Sequence, residues 1–193
     1  MAGSARYTAI LDACVLYPAT LRDLLLSLAR DSLFHARWSK RIQDEWVRSL
    51  LKRRPDLEES ALRRTCDLMT RAVPDSVVTG WEKIVPGLEG LPDVDDRHVL
   101  AAAICGHADA IVTFNLDDFP AAALAPFGVE AQHPDDFLLN QLELQPIAAL
   151  KAIKAMRSRW RNPPLSALAL ADALDKLQLP LVAARLRDVA ELI

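Results

Sequence analysis

The amino-acid sequence predicts an α/β fold, in which a parallel sheet is flanked by helices and followed by an all-helical C-terminal extension. Short apolar runs alternate with segments of helical period over residues 7–113, the pattern of a parallel α/β sheet. From about residue 141 onward the β-like runs stop and only helical patterns remain. The 193 residues, 51% of them apolar, suffice for a sizeable core. We therefore predict a sheet-containing domain over 1–140 and a helical extension over 141–193.

The first half of the chain begins with a short apolar run at residues 7–13, which predicts a buried strand. A helix-period stretch from Pro18 to Arg30 follows, with proline at a position suited to a helix start. Residues 38–52 and 55–71 predict two amphipathic helices, and Val77 and Val78 predict another short strand.

A turn-rich segment at 86–95 separates these elements from an alanine-rich helix predicted at 96–107. The apolar run at 110–113 predicts the next strand. The extension contains three helical patterns, at 144–160, 164–174 and 179–191. The leucines of the extension recur at helical spacing, which is typical of helix packing, so we interpret them as core residues and not as part of a functional site.

The composition excludes several classes of protein. No uncharged apolar run approaches the roughly 18 residues of a membrane span, and Asp12 interrupts the first apolar stretch, so we expect a cytoplasmic protein without a signal peptide. Cys14, Cys66 and Cys105 lie far apart and form no C-x-x-C pair, which predicts reduced thiols rather than disulfides or a zinc site. Only 6 glycines are present and no phosphate-binding loop motif occurs, which disfavours nucleotide-driven chemistry.

The charge is unevenly distributed, although the formal net charge is only −3. Residues 30–71 carry 11 basic and 7 acidic side chains, whereas 72–140 carry 2 basic and 12 acidic ones. Arginines outnumber lysines 17 to 6, and guanidinium groups suit bidentate phosphate contacts. A basic segment beside an acidic one is compatible with a nucleic-acid partner, but charges that only solvate two helices fit equally well.

Acidic side chains occur where a parallel sheet would place a ligand site. Asp12 ends the first strand, and the carboxyl ends of parallel strands line the ligand crevice. Glu45 lies at the edge of the apolar face of the helix predicted at 38–52. Asp93, Asp95 and Asp96 precede the alanine-rich helix; we expect Asp95 to cap it and Asp96 to face the crevice, although the choice between the two stays open.

A further polar cluster follows the strand predicted at 110–113. Asn115 and Asp118 are three residues apart and share a face in a helical turn, while Asp117 points away. Oxygen ligands without a cysteine pair or a histidine spacing favour Mg²⁺ or Mn²⁺ over zinc. His98 lies beside the acids but is more often structural than catalytic in such a position. An ordinary Asn and Asp turn is the alternative for this segment.

Together these pieces resemble the PIN-domain family of metal-dependent nucleases, in particular bacterial toxins of the VapC type. The resemblance rests on four segments in order, which read YTAILDACVLYP, IQDEWVRSL, PDVDDRHVLAAAI and VTFNLDDF. It implies a PIN-like sheet domain and metal ligation by carboxylates, with an amide completing the site. The implied ligands are Asp12, Glu45, Asp96 and Asp118, with Asn115 beside them.

The resemblance also implies the reaction and the partners. It implies hydrolysis of RNA phosphodiester bonds with Mg²⁺ or Mn²⁺, a VapB-like antitoxin and a homodimer. Thr113, Arg41 and Arg48 are predicted to support the site or contact RNA. Many relatives have a hydroxyl or amide side chain shortly after the first acid, whereas Ala13 and Cys14 follow Asp12 here, so we expect that contact to be absent.

Three other functions are alternatives to a ribonuclease toxin. A haloacid-dehalogenase-type phosphatase needs an acid two residues after the first one, where this chain has Cys14. A DNA-directed nuclease uses the same carboxylates and stays open. A non-catalytic binding module that keeps the fold and assembles through its C-terminal helices also stays open.

Overall fold

A computed structural model describes residues 7–193, and a five-stranded parallel sheet forms its centre. The strand order is β3-β2-β1-β4-β5, which confirms the predicted parallel α/β sheet. The strands are β1 (Thr8–Leu11), β2 (His35–Ser39), β3 (Val77–Val78), β4 (Ala110–Val112) and β5 (Glu130–Gln132).

Strands β1 and β4 are apolar because helices cover both faces of the sheet. Ala9, Ile10 and Leu11 of β1 have no exposed surface, and neither has Ile111 of β4. A parallel strand covered on both faces needs apolar side chains on both, which explains why these runs lack the alternation of a half-exposed strand. Their carboxyl ends lie side by side, since Leu11 pairs with Val112.

Helices fill the connections and form the C-terminal region. They are α1 (Ala13–Leu16), α2 (Ala19–Arg30), α3 (Lys40–Arg53), α4 (Glu59–Ala72), α5 (Arg97–Cys105), α6 (Ala121–Leu124), α7 (Pro134–Leu144), α8 (Pro146–Arg159), α9 (Ala167–Lys176) and α10 (Pro180–Asp188). Helix α1 packs on α3, α5 packs on β1 and β4, and α8 packs on α2. The acids at the strand ends are thus bordered by α1, α3 and α5.

Several elements differ from the sequence-based prediction. Trp38, predicted as helical, lies in β2 with no exposed surface. The helix begins only at Lys40, because Ser39 caps it by accepting a hydrogen bond from the Ile42 backbone N–H at 3.2 Å. The helices α1, α6 and α7 and the edge strand β5 were not predicted.

The C-terminal helices continue the core of the sheet domain. Helix α7 spans residue 140, where the predicted boundary falls, and α10 packs against it. Asp135 on α7 is 4% exposed and accepts hydrogen bonds from the Leu181 and Val182 backbone N–H groups, both at 2.9 Å. This carboxylate caps the start of α10 and ties the last helices to the rest of the fold. The division at residues 140 and 141 stays a prediction.

The cysteines are free thiols, as predicted. Cys66 is buried, whereas Cys14 and Cys105 are partly buried. None of the helices within residues 7–193 combines the length and the apolar character needed to cross a bilayer.

Candidate active site

The structure brings the predicted acids together at the carboxyl end of the sheet. Asp12, Glu45, Asp96 and Asn115 line one pocket, together with Cys14, Tyr17 and Ser49. Asn115 also lines the adjoining hollow, which contains Asp118. Side chains from the ends of β1 and β4 and from two helices therefore converge, as the position of polar residues after apolar strands predicts.

Asp12 is held in place by hydrogen bonds to both of its carboxylate oxygens. Oδ1 accepts from the Ala13 backbone N–H at 2.6 Å, which caps α1. Oδ2 accepts from the Thr113 hydroxyl at 2.8 Å and from the Cys14 thiol at 3.1 Å. The residue is 7% exposed, so an ionised carboxylate here depends on these donors to offset its desolvation.

A thiol contact takes the place of the hydroxyl or amide contact that was expected to be absent after Asp12. Cys14 supplies that contact through its thiol, and its Sγ also lies 3.3 Å from the Thr113 hydroxyl. Burial, followed by the nearby charge of Asp12, raises the pKa of Cys14 to about 12. The thiol therefore stays protonated at neutral pH and acts as a donor rather than a nucleophile.

Thr113 supports Asp12 and does not reach the surface. It has no exposed area, and its Oγ1 also accepts from the Asn115 backbone N–H at 3.1 Å. This burial corrects the prediction that Thr113 contacts RNA, because a fully buried side chain cannot touch a substrate without local opening. Its hydroxyl instead links Asp12 to the segment that carries Asn115.

Glu45 projects from α3 toward a histidine that the sequence analysis left as structural. His98 Nε2 donates to Glu45 Oε1 at 2.9 Å, and Arg41 Nε donates to the same oxygen at 3.2 Å. Burial raises the pKa of Glu45, but the hydrogen bonds and charges of His98 and Arg41 outweigh it and hold the pKa below its ordinary value. Glu45 is therefore ionised at neutral pH.

Asp96 lies close to several other carboxylates of the pocket. Burial, followed by the charges of Asp118, Asp12 and Asp93, raises the pKa of Asp96 to about 6. Asp93 caps the 3₁₀ turn over Val94–Asp96, since its carboxylate accepts from the Asp95 backbone N–H at 2.8 Å. Helix α5 begins directly after Asp96 and has no side-chain cap within residues 7–193, so the prediction that Asp95 caps it is wrong. The pocket therefore holds more negative charge than the side chains around it compensate.

Asn115 and Asp118 occupy the turn after β4. The Asp118 backbone N–H donates to the Asn115 carbonyl at 3.2 Å, closing a 3₁₀ turn over Leu116–Asp118. Asn115 is exposed at the pocket rim, and Asp118 is close enough to Asp96 to raise its pKa. Both residues therefore border the carboxylate pocket from the β4 side.

The donor set fits a hard divalent cation, although the side chains do not already surround one. Among residues 7–193, no three histidine, cysteine or acidic side chains form a ready metal-binding group. Glu45 is turned toward His98 and Arg41, and Asp12 toward its own donors. Carboxylate and amide oxygens are nevertheless the ligands that Mg²⁺ and Mn²⁺ prefer, and a cation would relieve the repulsion on Asp96.

The two arginines predicted to contact RNA differ in their surroundings. Arg41 is paired with Glu45, and its Nη2 lies 3.7 Å from Asp95 Oδ1. Arg48 lies about two turns further along α3 and is exposed. Arg41 is therefore engaged with acidic side chains of the site, and contact between Arg48 and RNA stays a prediction.

The fold and the site define a member of a known class. A family model described as PIN domain matches residues 8–117, more than half of the chain, so the chain belongs to the PIN-domain family. A second model, described as VapC50 C-terminal domain, matches residues 134–188.

A curated relative is similar to part of the chain. A Mycobacterium tuberculosis protein with the name "Putative ribonuclease VapC50" is 48% identical over 92 residues. The match covers 48% of this chain and 54% of the relative, so about half of each protein is compared. No solved structure matches the chain.

Proposed function

We propose that this protein is a metal-dependent endoribonuclease of the VapC type and the toxin of a toxin–antitoxin pair. One observation carries the proposal: Asp12, Glu45 and Asp96, distant in sequence, line one pocket, where burial and then the neighbouring carboxylates raise the pKa of Asp96. The PIN-domain match and the name of the mycobacterial relative support the same reading. The sheet region over 1–140 then serves as the nuclease domain and 141–193 as its helical extension.

The residues assigned to the ion are Asp12, Glu45, Asp96 and Asp118. These residues would hold one Mg²⁺ or Mn²⁺, which would supply an activated water and stabilise the charge that develops on the phosphate during hydrolysis. Asp12 is the fixed member, because Thr113 and Cys14 hold its Oδ2. Asn115 and Asp118, which line the adjoining hollow, would orient the attacking water or a second ion.

The RNA backbone would approach from the basic side of the pocket. Residues 30–71 contain an excess of basic side chains, and Arg48 is an exposed one on α3. Phosphate contacts of this kind provide affinity and orientation without reading the base sequence. Without a cation the acidic pocket repels the phosphate backbone.

The partner proposed from the family is a VapB-like antitoxin. The protein itself is proposed to be a homodimer in the cytoplasm, to which this antitoxin binds. A groove between α2 and α4 offers a place for an antitoxin helix, since Leu26, Leu68 and Met69 line it and Arg30 lies in its wall. Leu68 is 53% exposed, so an apolar helix face would cover a side chain that water now contacts.

An Asp12→Asn variant tests the assignment. The variant keeps a side chain of the same size and should fold, but it removes the central negative oxygen, so Mn²⁺-dependent RNA cleavage should fall by roughly 100-fold or more. Asp117→Asn is the matched control, because Asp117 is exposed on the neighbouring turn and has no assigned role. A folded Asp12→Asn protein that cuts RNA at the wild-type rate would refute the assignment.

Two measurements separate the alternatives. Calorimetry with Mn²⁺ should show binding by the nuclease, whereas a non-catalytic binding module should show none. A parallel assay on single-stranded DNA distinguishes the RNA-directed enzyme from a DNA-directed nuclease of the same fold. Expression alone should arrest growth if the protein is a toxin.

A further inference from the structure

His98 joins the two helices that supply the pocket with acids. It lies in α5, two residues after Asp96, and its Nε2 donates to Glu45 Oε1 on α3 at 2.9 Å. The imidazole is only 1% exposed. One buried hydrogen bond therefore sets the position of a carboxylate that is itself partly open to the pocket.

The imidazole ring is held by packing. Its centroid lies 5.9 Å from the Trp81 ring, and α5 packs on the 3₁₀ turn that contains Trp81. Within residues 7–193, His98 Nδ1 is buried and has no hydrogen-bond partner. The contact with Glu45 is thus the polar contact that directs the ring, and Nε2 donates in the Nε2-protonated neutral ring and in the imidazolium, whereas the Nδ1-protonated neutral ring cannot make this bond.

The other partner of Glu45 is a weaker constraint. The Arg41 side chain is 41% exposed and lies on the same helix four residues earlier. Exposed pairs of this spacing contribute little, since a long side chain loses rotamer freedom in one geometry and water screens the charges. A buried ring fixed by its neighbours holds Glu45 with less freedom than Arg41 can.

We propose that His98 is a positioning residue that orients Glu45 for the divalent ion. The inference rests on the proposed function, because it assumes that Glu45 ligates the ion. Both described hydrogen bonds of Glu45 are on Oε1, so Oε2 is the oxygen left for a ligand. Partners of this kind, which bind a ligand side chain rather than the metal, fix its direction and strengthen its binding.

The test compares three substitutions. His98→Leu removes the donor and keeps an apolar group in the buried site, whereas His98→Gln keeps an amide donor near the position of Nε2. His98→Asn keeps a polar group that is too short to reach Glu45. Mn²⁺ affinity is measured by calorimetry, and kcat and KM for RNA are measured separately. Val99→Ala, a buried neighbour on α5, is the control for simple loss of packing.

We expect His98→Leu and His98→Asn to weaken Mn²⁺ binding about 10-fold to 100-fold, the range found when such a partner is removed. Their kcat should fall while KM for RNA stays within about twofold of the wild-type value. His98→Gln should recover most of the Mn²⁺ affinity. Val99→Ala should bind Mn²⁺ as the wild type does, even where its melting temperature is lower.

Several outcomes would overturn the inference. A folded His98→Leu protein with wild-type Mn²⁺ affinity and kcat excludes positioning, and a change confined to KM shows contact with RNA instead. If neither His98→Leu nor His98→Asn folds, the residue is structural. If the wild-type protein neither binds Mn²⁺ nor cuts RNA, the proposed function itself fails, and the inference fails with it.

Discussion

The Thr113 hydroxyl donates to Asp12 Oδ2 across 2.8 Å and so joins the ends of two adjacent strands. Asp12 follows β1 directly, and Thr113 follows β4 directly. The backbone repeats the link, because the Asp12 N–H donates to the Val112 carbonyl at 3.1 Å. The carboxylate at the centre of the site is therefore positioned by the sheet rather than by a mobile loop.

Removing the Thr113 hydroxyl should weaken the site without unfolding the protein. Thr113→Val keeps the shape of the side chain but leaves Asp12 Oδ2 with the Cys14 thiol as its remaining described donor. We expect Mn²⁺ affinity to fall by roughly 10-fold, the lower end of the range for partners of metal ligands. Thr113→Ser, which keeps the hydroxyl, is the control. Equal Mn²⁺ affinity in calorimetry for Thr113→Val and wild type would contradict this role.

The raised pKa of Asp96 predicts how stability depends on pH in the metal-free protein. The folded state holds the Asp96 proton more tightly than the unfolded chain, whose ordinary pKa is 3.8. The stability that this proton provides is complete below pH 3.8 and is lost as the pH rises through about 6. At neutral pH the ionised carboxylate is therefore a destabilising charge until a cation arrives.

Asp96→Asn should accordingly stabilise the metal-free protein at pH 7 and have little effect at pH 4. A rise in melting temperature of about 2–4 °C corresponds to roughly 1 kcal/mol in a protein of this size. Added Mn²⁺ should stabilise the wild type above pH 6 and the variant much less. Asp95→Asn is the matched control, since the Asp95 side chain is 86% exposed. A melting temperature that is lower for Asp96→Asn at pH 7 would contradict the argument.

Arg48 offers a separate test of how RNA is held. The residue is exposed on α3, in the same helix as Glu45. Arg48→Glu should raise KM for RNA several-fold, leave kcat unchanged and lower the slope of log affinity against log salt by about 0.7 for each lost phosphate contact with a single strand. Lys176→Glu, an exposed charge reversal on α9, is the control. The same salt slope for Arg48→Glu and wild type would exclude the contact.

Strands β1 and β4 could be predicted from the sequence, whereas β2 and β5 could not. β1 and β4 are continuous apolar runs because both faces of the sheet are covered. In β2, Trp38 is in helical register with Ile42 and Trp46, so the periodicity of α3 extends falsely into the strand. β5 reads Glu-Ala-Gln and lies at the edge of the sheet, where no apolar pattern marks it.

Some features of the candidate site could be predicted from the sequence and others could not. The acids at the strand ends can be identified from the sequence, because an ionised side chain directly after a buried strand costs free energy unless a partner offsets its desolvation. The bond from His98 to Glu45 and the thiol contact of Cys14 are not visible, since both depend on how α5 and α1 pack. A histidine beside the acids was the available signal, but a spacing cannot show which of two neighbouring helices a ring faces.

Asp135 provides the test of how the C-terminal helices are attached. Its carboxylate accepts two backbone N–H groups at the start of α10 from a position with 4% exposure. Asp135→Asn keeps one acceptor and turns an amide N–H₂ toward the second backbone N–H, which leaves a buried donor unpaired. We expect a loss of about 1–3 kcal/mol in the free energy of unfolding in urea, the cost of such a group. Asp136→Asn, exposed on the same helix, should change little.

Because Asp135 is not among the residues assigned to the pocket, RNA cleavage by the folded Asp135→Asn variant should stay within about twofold of wild type. Unchanged stability of Asp135→Asn would mean that packing of α9 and α10, rather than this carboxylate, attaches the extension.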